Sequence, residues 1–226
     1  MNGAAPATAR RHRRPPARAY VQGLRAQQAD ANAERIIAEC TGLITSVRRI
    51  ADITLDDIAR KAGVTVRTVL RRFGSRDGAF EAAFARIEPE IKSLRRPTPP
   101  GDVDAALDSL LDQYEQMGDL NIRALEAEDQ LPLVHRGLET GRRHHREWLA
   151  EIFTPHLAGL SPKEKAQRLI ALYAATDIYV WKLLRRDLKL DRGATQNAIG
   201  CMVRGVLPPG RGPRTRREPH RGQHTK

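Results

Sequence analysis

Apolar positions along the chain recur at three- and four-residue intervals, and no segment shows the strict alternation of a half-buried strand. Leu24, Ile36, Ile37, Cys40, Leu43, Ile44 and Val47 fall on one side of a helix predicted over 24–47. Thr54 can cap the next helix, with Asp56 and Asp57 at the positive end of its dipole. Ala62-Gly63-Val64 stops that helix, since a Gly just past the last turn is the usual C-terminal signal. Thr65 caps a helix running to Phe73, Gly74 ends it, and Ser75 caps another that starts at Arg76.

The segment Leu94-Arg-Arg-Pro97-Thr-Pro99-Pro100-Gly101 breaks the composition, and Pro89–Pro100 is read as the linker region. Beyond it helices are predicted from Asp102 to about Glu128, over 131–138, from about Thr140 to Leu157, over 161–188 and from about Arg192 to Val206. Ser161-Pro162-Lys163-Glu164 marks one start well, with Ser at the N-cap, Pro at the first helical position and Glu at the third. The pattern is all-α. Its organisation is a disordered basic arm (1–19), an N-terminal helical domain (20–88), a second helical domain (89–206) and a disordered basic tail (207–226).

Composition agrees with helices. Aromatic residues are only 4% of the 226, and the 40% hydrophobic content is mostly Ala and Leu. No stretch approaches the roughly 18 uncharged apolar residues of a membrane span, because the most apolar segment, Leu169 to Leu184, carries Asp177 and Lys182. Tyr20-Val-Gln-Gly-Leu-Arg25 stands where a signal peptide needs its apolar region, and Cys40 and Cys201 lie too far apart for a metal or disulfide pattern. A soluble cytoplasmic protein is expected, with no membrane association.

The net charge of +12 is mostly a property of the ends. Residues 1–20 hold five Arg and no acid, and residues 207–226 hold five Arg and Lys226 against Glu218, so each end contributes +5. Between them only 47–77 stays basic, with eight Lys/Arg against four Asp. Arg-rich tails are often merely solvated; the coincidence of the third basic segment with a motif is what changes the picture.

Three short helices between 24 and 73, the last two joined by Ala62-Gly63-Val64, make a helix-turn-helix. Ile58 and Ala62 must pack against Val69 and Phe73, with the small Ala59 where the helices cross. Val66, Arg67, Leu70 and Arg71 then point outward, toward a DNA major groove, with Arg67 and Arg71 one turn apart and able to bond guanine edges. The amides near Thr54, Thr65 and Ser75 are phosphate sites of the helix-terminus kind.

The run from Ile53 to Phe80 resembles the DNA-binding domain of the TetR (tetracycline repressor-like) family, with Thr54, Ile58, Ala59, Ala62, Gly63, Val64, Thr68, Phe73 and Ser75 at the matching positions of its pattern. Thr65 stands for the usual Ser and Arg76 for the usual Lys. The resemblance implies that Thr54, Thr65, Thr68 and Arg76 contact phosphates and that Val66, Arg67, Arg71 and Arg72 face the bases of a double-stranded operator. Leu70 departs from the pattern, because the family usually has a Tyr there that reaches a phosphate; Leu70 either meets a thymine methyl or packs. The five-Arg arm is a second departure. Nonspecific phosphate affinity is preferred for it over entry into a minor groove.

In that family the C-terminal domain pairs two chains and encloses a pocket for a small effector. The helix 161–188 is apolar around much of its circumference and the helix 192–206 adds a stripe of Ala198, Ile199, Met202, Val203 and Val206, so both are expected in a homodimer interface. Tyr114, Met117, Trp148, Phe153, Tyr173, Thr176, Asp177 and Trp181 are candidate effector-lining residues, although each alone is more readily core or interface. Asp177 reads as a carboxylate inside an apolar helix, for which a structural hydrogen bond is preferred to a ligand contact. Arg142-Arg143-His144-His145-Arg146 reads as a solvated face, since adjacent helical histidines point about 100° apart and share a metal poorly. No nucleotide-binding glycine loop, nucleophile motif or metal-ligand spacing is present, so no enzyme, cofactor or metal is expected.

The sequence thus points to a ligand-responsive homodimeric repressor on a palindromic operator. The competing reading is an architectural protein that binds DNA through its basic tails without sequence choice.

Overall fold

The computed structural model describes residues 17–208, all of its regular structure helical. The predicted tail and most of the predicted arm, at 209–226 and 1–16, lie outside the described residues. Two compact units separate: one holds the described part of 1–47 with 52–86, the other 48–51 with the described part of 87–226.

The first unit begins with α1 (Ala17–Ser46), which starts seven residues before the helix expected at 24 and takes in the end of the predicted arm. In that added stretch, 17–23, Tyr20 and Val21 are the only large apolar residues and adjoin each other, so no apolar stripe forms and periodicity alone misses it. Ala33, Ile36, Cys40, Leu43 and Ile44 form the buried stripe of α1. Then follow α2 (Leu55–Lys61), α3 (Val66–Phe73) and the first turns of α4 (Arg76–Leu94). Ile58, Ala59, Ala62, Val69, Ala79, Phe80 and Ala83 complete the small core.

The second unit takes the last turns of α4 and adds α5 (Val103–Ala127), α6 (Pro132–Phe153), α7 (Pro162–Ala175), α8 (Ile178–Lys182) with a π-helical turn at Leu183–Asp187, and α9 (Arg192–Val206). Helix α5 packs on α6, α8 and α9, and α7 on α6 and α9. Leu107, Leu110, Leu111, Leu149, Ile152, Phe153, Leu172, Trp181, Ile199 and Val203 fill the centre. Among the described residues no helix is long and apolar enough to cross a membrane, and no group of three or more His, Cys, Asp or Glu could hold a metal.

Three sequence expectations are corrected here. The helices expected over 131–138 and 140–157 are one helix, α6, which carries Gly137 and Gly141 through its interior and ends at Phe153. The helix expected over 161–188 breaks at Thr176, the C-cap of α7, and restarts at Asp177. The Thr176 hydroxyl donates to the Leu172 carbonyl (2.8 Å), while the Asp177 carboxylate accepts from the Tyr179 amide (2.9 Å), so Asp177 is an N-cap rather than a carboxylate in mid-helix. His145 is buried, not solvated, because it falls in register with Leu149 and Ile152 on the apolar stripe of α6; His144 stays exposed.

Candidate functional site

Helices α2 and α3 are tied down by local hydrogen bonds that leave one face of α3 outward. Thr54 closes a capping box on α2: its hydroxyl accepts from the Asp57 amide (3.1 Å), and the Asp57 carboxylate accepts from the Thr54 amide (3.0 Å) and hydroxyl (2.6 Å). These bonds from Thr54 hold the Asp57 carboxyl below its ordinary range, with a smaller contribution from the ion-paired Arg60. Gly63, at φ 62°, takes the left-handed conformation that turns the chain from α2 into α3. Thr65 then caps α3, accepting from the Thr68 amide (3.3 Å), and its hydroxyl lies 3.0 Å from that of Thr68.

With Val69 fully buried against the α2 side, Arg67 and Arg71 stand exposed one turn apart. Neither has an ion-pair partner among the described residues, so both guanidiniums are available to an outside acceptor. Leu70 is exposed beside them (40%), and Val66 and Thr68 are half-buried. Arg72 is also exposed but turns to α1, where it meets Asp30 at 3.3 Å. Arg76 is half-buried: it donates to the Ile53 carbonyl (3.4 Å), meets Asp77 (3.3 Å) and lies over the Phe80 ring. An open cleft of about 520 Å³ lies between α1 and α3, lined by residues that include Asn32, Ile36, Thr68, Arg71 and Arg72.

The effector candidates divide. Phe153 and Trp181 are wholly buried core residues, Met117 is half-buried, and none of the eight lines the cleft at α3. Tyr114, Trp148, Tyr173 and Thr176 come together around two residues that sequence reasoning missed, Arg95 and His145. Arg95 Nη1 donates to His145 Nδ1 (3.2 Å), His145 Nε2 donates to the Thr176 hydroxyl (3.0 Å), and Tyr114 donates to the Thr176 carbonyl (2.9 Å). The His145 ring stacks on Trp148 at 5.5 Å and meets Tyr173 edge-on at 5.3 Å, while the Arg95 guanidinium lies 4.5 Å from the centre of the Trp148 ring. Burial, reinforced by the Arg95 charge, pushes the His145 pKa down to about 3, so the imidazole is neutral and its tautomer follows from these bonds. The register of His145 with Leu149 was the available signal; Arg95 carried none.

Residues 50–83 match the sequence profile of the bacterial regulatory proteins of the tetR family, which covers α2, α3 and the start of α4. No curated protein sequence matches the chain. Its fold is similar to that of a crystallised transcriptional regulator from Rhodococcus sp. Rha1, with a TM-score of 0.59 at 16% identity, over 77% of this chain and 95% of that one. The chain thus carries an N-terminal segment similar to the tetR-family profile within an all-helical fold similar to that of a solved regulator.

Proposed function

We propose that this protein is a ligand-responsive repressor that binds a palindromic DNA operator as a homodimer. The observation that carries the reading is the exposed couple Arg67 and Arg71, unpaired among the described residues, on a helix whose opposite side is buried. Two guanidiniums one turn apart suit neighbouring guanine edges in a major groove, and Leu70 between them suits a thymine methyl. Thr54, Thr65, Thr68 and Arg76 surround that face as phosphate contacts; the intramolecular bonds of Arg76 make it the weakest of the four. Arg72, held by Asp30, contributes less to base reading than Arg67 and Arg71.

Dimerisation follows from a physical need and an apolar surface. One helix in one groove reads few bases, and two-fold pairing extends the site to a palindrome with half-sites about one helical turn apart. Ile170, Tyr179, Leu183, Leu188 and Met202, five of the six large exposed apolar side chains among the described residues, lie on α7, α8, the π-helical turn, its exit and α9. Exposed apolar side chains concentrated on consecutive elements favour a protein partner, here a second copy. An effector held in the second unit favours one of two dimer states and changes the separation of the recognition helices; equal affinity for both states would produce no response.

Selection of random duplexes by the full chain, at about 0.15 M salt with excess competitor DNA, tests this reading. A recovered palindrome whose enrichment is lost in Arg67→Ala supports it. Binding without enrichment, falling steeply with salt, sinks it in favour of sequence-independent binding through the basic tails.

A further inference from the structure

Arg95 is a half-buried cation of the second unit, its Nε covered, without a counter-ion among the described residues. No Asp or Glu oxygen among the described residues lies within ion-pair distance of it, in contrast to Arg96 next to it, which meets Asp108 and Asp112 at 2.8 Å each. Its neighbours are instead aromatic or neutral: the ring of Trp148, the neutral His145 and the phenol of Tyr114. Its Nη1 is used on His145, its face is on Trp148, and its Nε is buried with no hydrogen-bond partner. A guanidinium withdrawn from water is costly unless an anion compensates it, and burial draws the pKa of Arg95 below its ordinary value. Asp177 does not serve, since its carboxylate caps α8. Arg142 is occupied by Glu128 and Glu139.

We infer that Arg95 receives the carboxylate of a small aromatic acid, the guanidinium offering its Nε edge to the two oxygens and the rings of Trp148 and Tyr173 flanking the acid's apolar part. A carboxylate matches that edge in a planar, two-point fashion that a neutral amide cannot reproduce. The assignment rests on the proposed regulator reading and names its effector class. It also gives a route for the response. Arg95 directly follows α4, whose first turns belong to the DNA-binding unit, and its Nε is shielded from solvent, so admitting the acid requires the segment after α4 to shift.

The test uses the full chain without DNA, titrated calorimetrically at constant ionic strength with benzoate, with benzamide as its neutral isostere, and with inorganic phosphate. Benzoate is expected to bind, and benzamide and phosphate to bind at least tenfold more weakly. Arg95→Met, which keeps the length and removes the charge, is expected to abolish benzoate binding. Should that variant fail to fold, Arg95→Lys keeps a charge without the fork and is expected to weaken benzoate at least tenfold. No benzoate binding, equal binding of phosphate or benzamide, or full affinity in either variant overturns the assignment. Operator binding is measured separately on the same protein. Benzoate binding in a chain that selects no DNA sequence sinks the regulator reading but leaves the site, whereas operator binding with no benzoate binding sinks only the site. A benzoate-bound protein with unchanged operator affinity overturns the regulatory route.

Discussion

The indole of Trp181 closes on Gly118: a Cβ at residue 118 would stand 2.4 Å from Cη2 and Cζ3 of the ring. Trp181 has no exposed surface and donates to Glu115 (3.1 Å), one turn before Gly118 on α5, and Arg186 lies over its ring at 4.5 Å. The glycine therefore fixes how closely α8 approaches α5, and the π-helical turn that follows brings Arg185 onto Glu115 (2.6 and 2.7 Å) and Arg186 onto Asp119 (2.8 and 3.0 Å).

Gly118→Ala is expected to destabilise the fold by about 1–3 kcal/mol, because a methyl group there overpacks a side chain with nowhere to move. Gly137→Ala is the control. That glycine is exposed inside α6 with nothing near its would-be Cβ, so the same change should stabilise by roughly 0.5–1 kcal/mol. Urea denaturation of both variants decides; equal effects would show that Trp181 does not constrain residue 118.

Arg67→Ala and Arg71→Ala should each weaken operator binding by about 1–3 kcal/mol and relax base preference at one position per half-site. Neither guanidinium has a partner among the described residues, so the melting temperature should hardly change. Arg72→Ala should cost less affinity, given its pairing with Asp30. Fluorescence anisotropy with a labelled operator measures all three, and an Arg72 effect exceeding the other two would reassign the reading face.

Thr65 separates capping from DNA contact. Thr65→Ala removes the cap of α3 and should cost about 1 kcal/mol of stability. Thr65→Asp restores a capping oxygen but sets a negative charge at the proposed DNA face, so stability should recover while operator affinity falls further. Recovery of both would mean that no phosphate approaches residue 65.

The neutral, buried His145 makes stability depend on pH in a defined window. The unfolded histidine takes up a proton near pH 6.5, whereas in the fold it does so only near pH 3. Between these values the unfolded state binds more protons, so stability falls as pH falls, by up to about 1.4 kcal/mol per unit, and the loss is complete below the lower value. Carboxylates held below their ordinary range, such as Glu115 by Arg185 and Glu128 by Arg142, add their losses only near and below their unfolded values of about 4. Urea midpoints between pH 7 and pH 5 should therefore drop in the parent and drop less in His145→Gln; parallel curves would show that His145 is not held neutral.

Leu183→Asp and Ile170→Asp place charges on the exposed apolar positions of the second unit. Each should shift sedimentation toward the 25.3 kDa of a single chain and weaken binding to a full palindrome more than to a half-site. An unchanged sedimentation coefficient in both variants would remove these surfaces from the dimer interface.

What the amino-acid sequence determined by itself was whatever rests on neighbours in the chain. The caps of Thr54, Thr65 and Ser161 each join residues three apart, the Gly63 turn is a local backbone demand, and the outward register of Arg67 and Arg71 follows from the helical period once Val69 is inside. These sufficed for the all-helical fold and for the helix-turn-helix. Tertiary structure alone decided the interior polar cluster, where Arg95 meets His145 across 50 residues and Tyr114 meets Thr176 across 62, and it turned Arg72 to Asp30 across 42. Local pattern says which side chains share a helix face, but not which distant face covers them. That is why a histidine among arginines read as solvated, and why an arginine after a helix gave no sign of being half-buried against aromatic rings.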